Sequence, residues 1–362
     1  MEKKRINYFD NLKVLLTLLV IAHHTCQAYT MGGDWSVKDS SNSAWLSSFL
    51  CVNMTFFMGA FFFISGYFVP RSLEHKKVGV FIKGRAKRLL LPILILLFMI
   101  VPAYDYIAYC YNEKQALGFY QFYMQSYIGE GMISYDHGWF LISLFLYSVI
   151  YIPIRRLCDK VRGKLTGYKI IMFIAVMSLL TGIIRIVYPI DEWVNILGVI
   201  GIEPAHLPQY FLWFLAGTIA YKNKWLNELT DTTGKYCVAI GFFAAMLIYL
   251  QRILPYFIID WIYDWFWVYE CIMSVTIVIG LVYIFRKHFS GQGKLMKCLA
   301  QNAFTIYIVH NLFVIMMQVL MSKVKINVYL KFIVATTLAF TLSTIVAIVI
   351  SKGKKRLKGH YV

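Results

Sequence analysis

Charge is scarce in this chain: Asp, Glu, Lys and Arg make up 15% of its 362 residues, against 59% hydrophobic. Ordinary soluble domains carry about 25% charged residues, so a water-facing surface of normal size cannot be assembled from this composition. None of the seven cysteines (26, 51, 110, 158, 237, 271 and 298) stands in a CxxC pair, and most lie in or beside apolar runs. There Cys behaves as a small hydrophobe, and neither a metal site nor a disulfide framework follows. The chain also lacks an internal repeat, a low-complexity linker and any polar stretch long enough for a separate soluble domain. The basic start Met1–Arg5 and the apolar stretch after it resemble a signal peptide, but no small-x-small cleavage site follows near residues 26–30. The segment therefore reads as a retained first helix. The net charge of +18 does not point to nucleic acid, because the basic residues are scattered between apolar runs instead of sharing one polar surface.

What is present in abundance is long apolar sequence. Runs such as 89–103, 272–285 and 332–350 approach or reach the roughly 20 residues that cross a hydrocarbon layer about 30 Å thick. Spans are predicted near residues 8–29, 45–70, 89–108, 138–154, 168–188, 207–221, 236–254, 265–285, 299–322 and 327–350. The expected architecture is all-α: a polytopic membrane protein of about ten helices, one membrane domain over 1–362 with its core at about 5–350. With the N-terminus inside, the inner segments 1–7, 71–88, 155–164, 222–235, 286–297 and 351–362 hold 27 Lys and Arg. The outer connections hold four, Lys38, Lys114, Lys323 and Lys325. That asymmetry predicts cytoplasmic termini. The Tyr-rich outer connection 109–137 ends in Asp136-His137-Gly138-Trp139, a mixture suited to the membrane–water interface.

The first helix carries a polar stripe. At about 100° per residue, Lys13 and His24, eleven positions apart, differ by only about 20° around the helix. Asp10, Thr17 and Gln27 fall within about 60° of Lys13, whereas His23 lies about 80° away. Ionisable groups in hydrocarbon cost roughly 2.5 kcal/mol or more each, so the stripe should face the protein interior or a water-filled cavity. Its length from Lys13 to His24 is about 16 Å, suited to a ligand with an anionic end at the cytoplasmic face and a reactive end deep in the bilayer. Lys13 alone also reads as a snorkelling lysine paired with Asp10, and His24 as either a packing residue or a base.

The stripe resembles the acyltransferase 3 family of integral membrane acyltransferases. Its first helix carries an acidic residue, usually an arginine three positions on, and a histidine after ten further residues. Asp10, Lys13 and His24 occupy those places here, with Lys for Arg as the departure. Four further stretches resemble the same family in the same order: Phe57 to Phe68 with its Ser65-Gly66-Tyr67, Phe81 to Pro92 with Arg85 and Arg88 as the Arg-x-x-Arg pair, Trp139-Phe140-Leu141, and Asn302 to His310 with Tyr307 and His310. The resemblance implies an acyl-CoA co-substrate, most simply acetyl-CoA, no tightly bound cofactor or metal, and an acceptor hydroxyl on a surface or exported glycan or glycolipid at the cell membrane. It assigns Lys13, Arg85 and Arg88 to the phosphates of coenzyme A, His24 to the role of general base, and Tyr307, His310 or Ser65 to the oxyanion. Three rival expectations stand beside this. The basic loop can serve topology or anionic lipid alone, the intramembrane polar residues can serve a transporter, and the lysine at position 13 can mark a structural subunit without catalysis.

Overall fold

The computed structural model describes residues 6–113, 115–133, 136–196, 200–253, 262 and 264–359. Lys114 and the basic residues of 1–5 lie outside them. Ten long helices occupy the ten predicted positions: α1 (Asn7–Gln27), α2 (Ala44–Tyr67), α3 (Val78–Asn112), α4 (Trp139–Cys158), α5 (Gly167–Val187), α6 (Leu207–Lys222), α7 (Asp231–Leu250), α8 (Phe266–His288), α9 (Lys294–Ser322) and α10 (Val328–Gly359). Eight of them are long and apolar enough to cross a membrane. The other two are α1, whose polar stripe lowers its mean hydropathy, and α6, which is only 16 residues long. The chain is thus an all-α, multi-pass membrane protein. Among the described residues its strands are confined to one short antiparallel pair, Val194–Ile196 with Ile200–Ile202. Helix α3 passes through a π-helical turn at Leu96–Ile100, between Pro92 and Pro102, each of which lacks the N–H that a regular ladder needs.

Two compact units divide the chain, one of Met1–Leu50, Leu94–Ser134 and Phe289–Val362, the other of Cys51–Ile93 and Tyr135–His288. In the first, α1 packs against both α9 and α10, which pack on each other. Val14 and Ile21 of α1 meet Ile306 and Val314 of α9 and Ala335, Ala339 and Ala347 of α10, and the small α10 residues let the backbones approach closely.

The second unit is built on glycine contacts. A Cβ on Gly66 of α2 would stand 2.1 Å from the Phe214 carbonyl oxygen of α6, and one on Gly217 of α6 would stand 2.1 Å from that of Phe63. The two backbones cross where neither carries a side chain. The glycine of the Ser65-Gly66-Tyr67 stretch is therefore explained by packing. Gly217→Ala should destabilise the protein by about 1–3 kcal/mol, the cost of overpacking, visible as a lower melting temperature in detergent; an unchanged melting temperature would contradict the close crossing.

A buried ionic chain also lies in this unit, and hydropathy does not show which residues join it. Arg185 Nη1 meets Glu270 Oε2 at 2.6 Å, Glu270 Oε1 meets His206 Nε2 at 3.1 Å, and His206 Nδ1 meets Glu203 Oε2 at 2.8 Å. Burial pulls the His206 imidazole down, but Glu270 and Glu203 outweigh it and raise its pKa to about 9. Its protonated form then adds stability that is complete below the ordinary histidine value of about 6.5 and is lost as pH rises through about 9. The melting temperature should accordingly fall between about pH 6.5 and 9, and His206→Gln should remove that fall. A fall of equal size in the variant would assign it to another group.

Candidate functional site

Helix α1 places its polar residues as its period requires. Near its start Lys13 Nζ donates to Asp10 Oδ1 at 3.2 Å, with the two side chains 31% and 18% exposed. One turn on, Thr17 returns its hydroxyl to the Lys13 carbonyl at 2.8 Å. Asn11 pins the same end of the helix to the chain before α9, donating to the carbonyls of Phe289 and Gly291 at 2.7 and 2.8 Å.

At the other end His24 stands among four polar or aromatic partners. Its ring lies 5.3 Å from that of His310 on α9, is stacked 5.5 Å from that of Trp35, and meets His23 edge-on at 5.4 Å. His24 Nδ1 is 3.2 Å from Gln27 Oε1, one turn further along α1. An amide oxygen only accepts, so Nδ1 carries the proton and Nε2 keeps the lone pair, the tautomer a base needs. His310 is fixed likewise: Nδ1 donates to the Tyr307 carbonyl at 2.5 Å, which leaves the lone pair on Nε2. Tyr307 adds its own ring, 5.6 Å from that of His310. His24, Tyr307 and His310 are thus brought together by two helices, with His310 fully buried and His24 half-buried.

Around them lies a shell that the sequence did not announce. The chain between α1 and α2 doubles back over the His24 end of α1, turning through Gly32 and Gly33 at φ +80 and +76, left-handed values suited to glycine. Asp39 N and Ser43 N donate to the carbonyls of Ala28 and Tyr29, and Lys38 Nζ donates to those of Gln27 and Gly32. Gln318 on α9 joins the cap to the helix. Its amide nitrogen donates to the His24 and Thr25 carbonyls at 2.9 and 3.1 Å, and its oxygen accepts from Trp35 Nε1 at 2.9 Å. Beneath the cap Lys331 Nζ meets both carboxylate oxygens of Asp39, at 2.9 and 2.7 Å, with the two side chains 3% and 1% exposed. Trp35 and Gln318 carry no pattern that would single them out. Lys331, a lone cation within a predicted span, is the one signal that pointed here.

Arg85 and Arg88 belong to the second unit. They lie three residues apart on one side of α3, where Arg85 covers the Phe81 ring at 5.5 Å and Arg88 is exposed. Ser65 and Trp139 are in that unit too. Trp139 stacks on Tyr210 at 5.4 Å, and Tyr210 in turn on His206 at 5.8 Å, a packing column in keeping with a structural place for this tryptophan. Among the described residues no group of three or more His, Cys, Asp or Glu is arranged to hold a metal ion.

Comparison with known proteins adds to this geometry. The family model described as an acyltransferase domain, that of acyltransferase 3, matches residues 6–352. Glucans biosynthesis protein C of Escherichia coli O1:K1 is 25% identical over 295 residues, covering 77% of this chain and 72% of that protein. The protein of the same name from Escherichia coli K12 is 26% identical over 296 residues, with the same coverage. No solved structure matches the chain.

Proposed function

Because the chain belongs to the acyltransferase 3 family and is therefore a membrane acyltransferase, we propose that it is an O-acyltransferase moving an acetyl or other short acyl group from cytoplasmic acyl-CoA to a hydroxyl of a surface or exported glycan or glycolipid. The observation that carries this reading is the setting of His24, whose Nδ1 is paired with Gln27 Oε1, an arrangement that favours the lone pair on Nε2, and whose ring lies against those of Trp35 and His310. The name of the curated relatives, glucans biosynthesis protein C, favours a carbohydrate acceptor.

In the proposed reaction His24 Nε2 takes the proton of the acceptor hydroxyl as its oxygen attacks the thioester carbonyl. The carbon–sulfur bond of the resulting tetrahedral intermediate then breaks, and the CoA thiolate leaves with the proton returned from the imidazolium. His310, its Nδ1 turned to the Tyr307 carbonyl, presents Nε2 and suits the orientation or relay of a proton. The Tyr307 hydroxyl is the better donor for the oxyanion. Lys13, Arg85 and Arg88 are assigned to the donor's phosphates, Lys13 as a point charge and the arginines as forks.

The test is free CoA released from acetyl-CoA by the purified, reconstituted protein in the presence of envelope glycan. Release that does not depend on the glycan would overturn the transferase reading of the acceptor. For the donor site, Arg85→Ala and Arg88→Ala are each expected to raise KM for acetyl-CoA about tenfold with kcat little changed. An unchanged KM would return the two arginines to a topological role.

A further inference from the structure

One cavity has none of the candidate site residues in its lining. It lies within the second unit, where α5, α6 and α8 leave about 350 Å³ between them. Its walls are apolar, formed by residues such as Phe173, Trp213, Ala216 and Val278, and the cation that lines it is Lys169. The lining on α6 runs from Leu212 to Ala220, which at 1.5 Å per residue is about 12 Å along the helix. One leaflet of a bilayer with a core of about 30 Å is about 15 Å deep, so the cavity runs most of a leaflet's depth.

One end of this cavity is lined by Val161 and Leu165 of the connection from α4 to α5, by Lys169 and by Trp225, and Arg162 and Lys164 stand in that same connection, so this end is a built mouth with basic neighbours. The connection from α4 to α5 is held in place by four bonds from side chains to its carbonyls. Trp225 Nε1 donates to Gly163 at 2.7 Å, Asn223 Nδ2 to Val161 at 2.8 Å, and Lys169 Nζ to Arg162 and Lys164 at 2.7 and 2.9 Å. Lys169 also lies 5.6 Å over the Trp225 ring. Gly163, at φ +88, makes the turn that brings these carbonyls round. With its backbone held in this way, the connection displays the side chains of Arg162 and Lys164 outward, both exposed. Basic pockets between membrane helices are places where anionic lipid head groups bind.

We infer that this cavity is a site for one anionic phospholipid, with an acyl chain between α5, α6 and α8 and the phosphate at Arg162, Lys164 and Lys169. A depth close to one leaflet fits a chain entering from the head-group level. Charge at the mouth alone selects an anionic head group over a zwitterionic one. The site shares no residue with the proposed acyl transfer and does not depend on it.

The experiment uses the full chain in nanodiscs of equimolar phosphatidylglycerol and phosphatidylcholine, released for native mass spectrometry. One phosphatidylglycerol should remain bound, in at least tenfold preference to phosphatidylcholine. Ala216→Trp, which fills the cavity, should lose it. The paired change Arg162→Gln and Lys164→Gln, on exposed side chains, should keep one lipid but lose the preference. Equal retention of the two lipids by the unaltered protein would overturn the proposal. So would undiminished phosphatidylglycerol in a folded Ala216→Trp variant, and if that variant does not fold, an undiminished preference in the paired glutamine variant would do so.

Discussion

His24→Ala is expected to lower glycan-dependent CoA release by about 10²–10⁴-fold, the share that a positioned general base contributes. The loss should appear in kcat, since the ring handles a proton in the transition state and holds neither substrate's binding group. Helix α1 keeps its packing through Val14 and Ile21, so the variant should fold and melt like the unaltered protein. Two further variants separate the base from its support. Gln27→Leu removes the acceptor that fixes the proton on Nδ1 and should cost about tenfold in kcat with an unchanged KM for acetyl-CoA. Gln318→Leu removes both bonds to the α1 carbonyls and the one from Trp35, and should act in the same direction. Retained turnover in His24→Ala would sink the assignment of the base, whatever the other two show.

The second large effect concerns folding. Asp39→Asn should destabilise the protein by about 3–5 kcal/mol, because it leaves the Lys331 ammonium buried without its counter-charge. Lys331→Met should cost about as much by stranding the carboxylate. The double variant Asp39→Leu with Lys331→Met should recover most of the loss, since a buried pair replaced by apolar residues of similar size is often near neutral. Thermal unfolding in a single detergent measures all three, and the coupling follows from the double-mutant cycle. Additive losses in the double variant would mean that the two residues act separately.

The helices themselves were legible because hydrocarbon demands long apolar runs, and all ten predicted spans became helices. The stripe on α1 was legible because Lys13 and His24 share one face of a regular helix, a matter of period alone. The family pattern along α9 pointed to Tyr307 and His310, and the structure places them beside His24. Period ends where a helix ends, however. Trp35 sits in a connection whose path depends on Gly32, Gly33 and three tethers, and Gln318 looks like any polar residue on a long helix. Asp39 finds Lys331 across almost the whole chain, a pairing that no local pattern encodes. The chain from Arg185 through Glu270 and His206 to Glu203 has no local pattern for the same reason: Arg185 and Glu270 stand singly within predicted spans, as Lys331 does, and only the fold joins them to the neighbouring pair Glu203 and His206. Gly66 was legible as a motif, but the reason for it, a bare crossing of α2 and α6, required coordinates.

The bonds around His24 also set an order for biosynthesis. Gln318 donates to a carbonyl 294 residues earlier in the chain, and Lys331 meets a carboxylate 292 residues earlier. At about 5–20 residues per second, α1 waits roughly 15–60 s after its own synthesis before α9 and α10 exist to satisfy its polar side. Through that interval a helix with Asp10, Lys13, His23 and His24 has to be sheltered by the insertion machinery or remain near the aqueous boundary. Maturation of the His24 cluster is therefore a late event, complete only once the last two helices have entered the membrane.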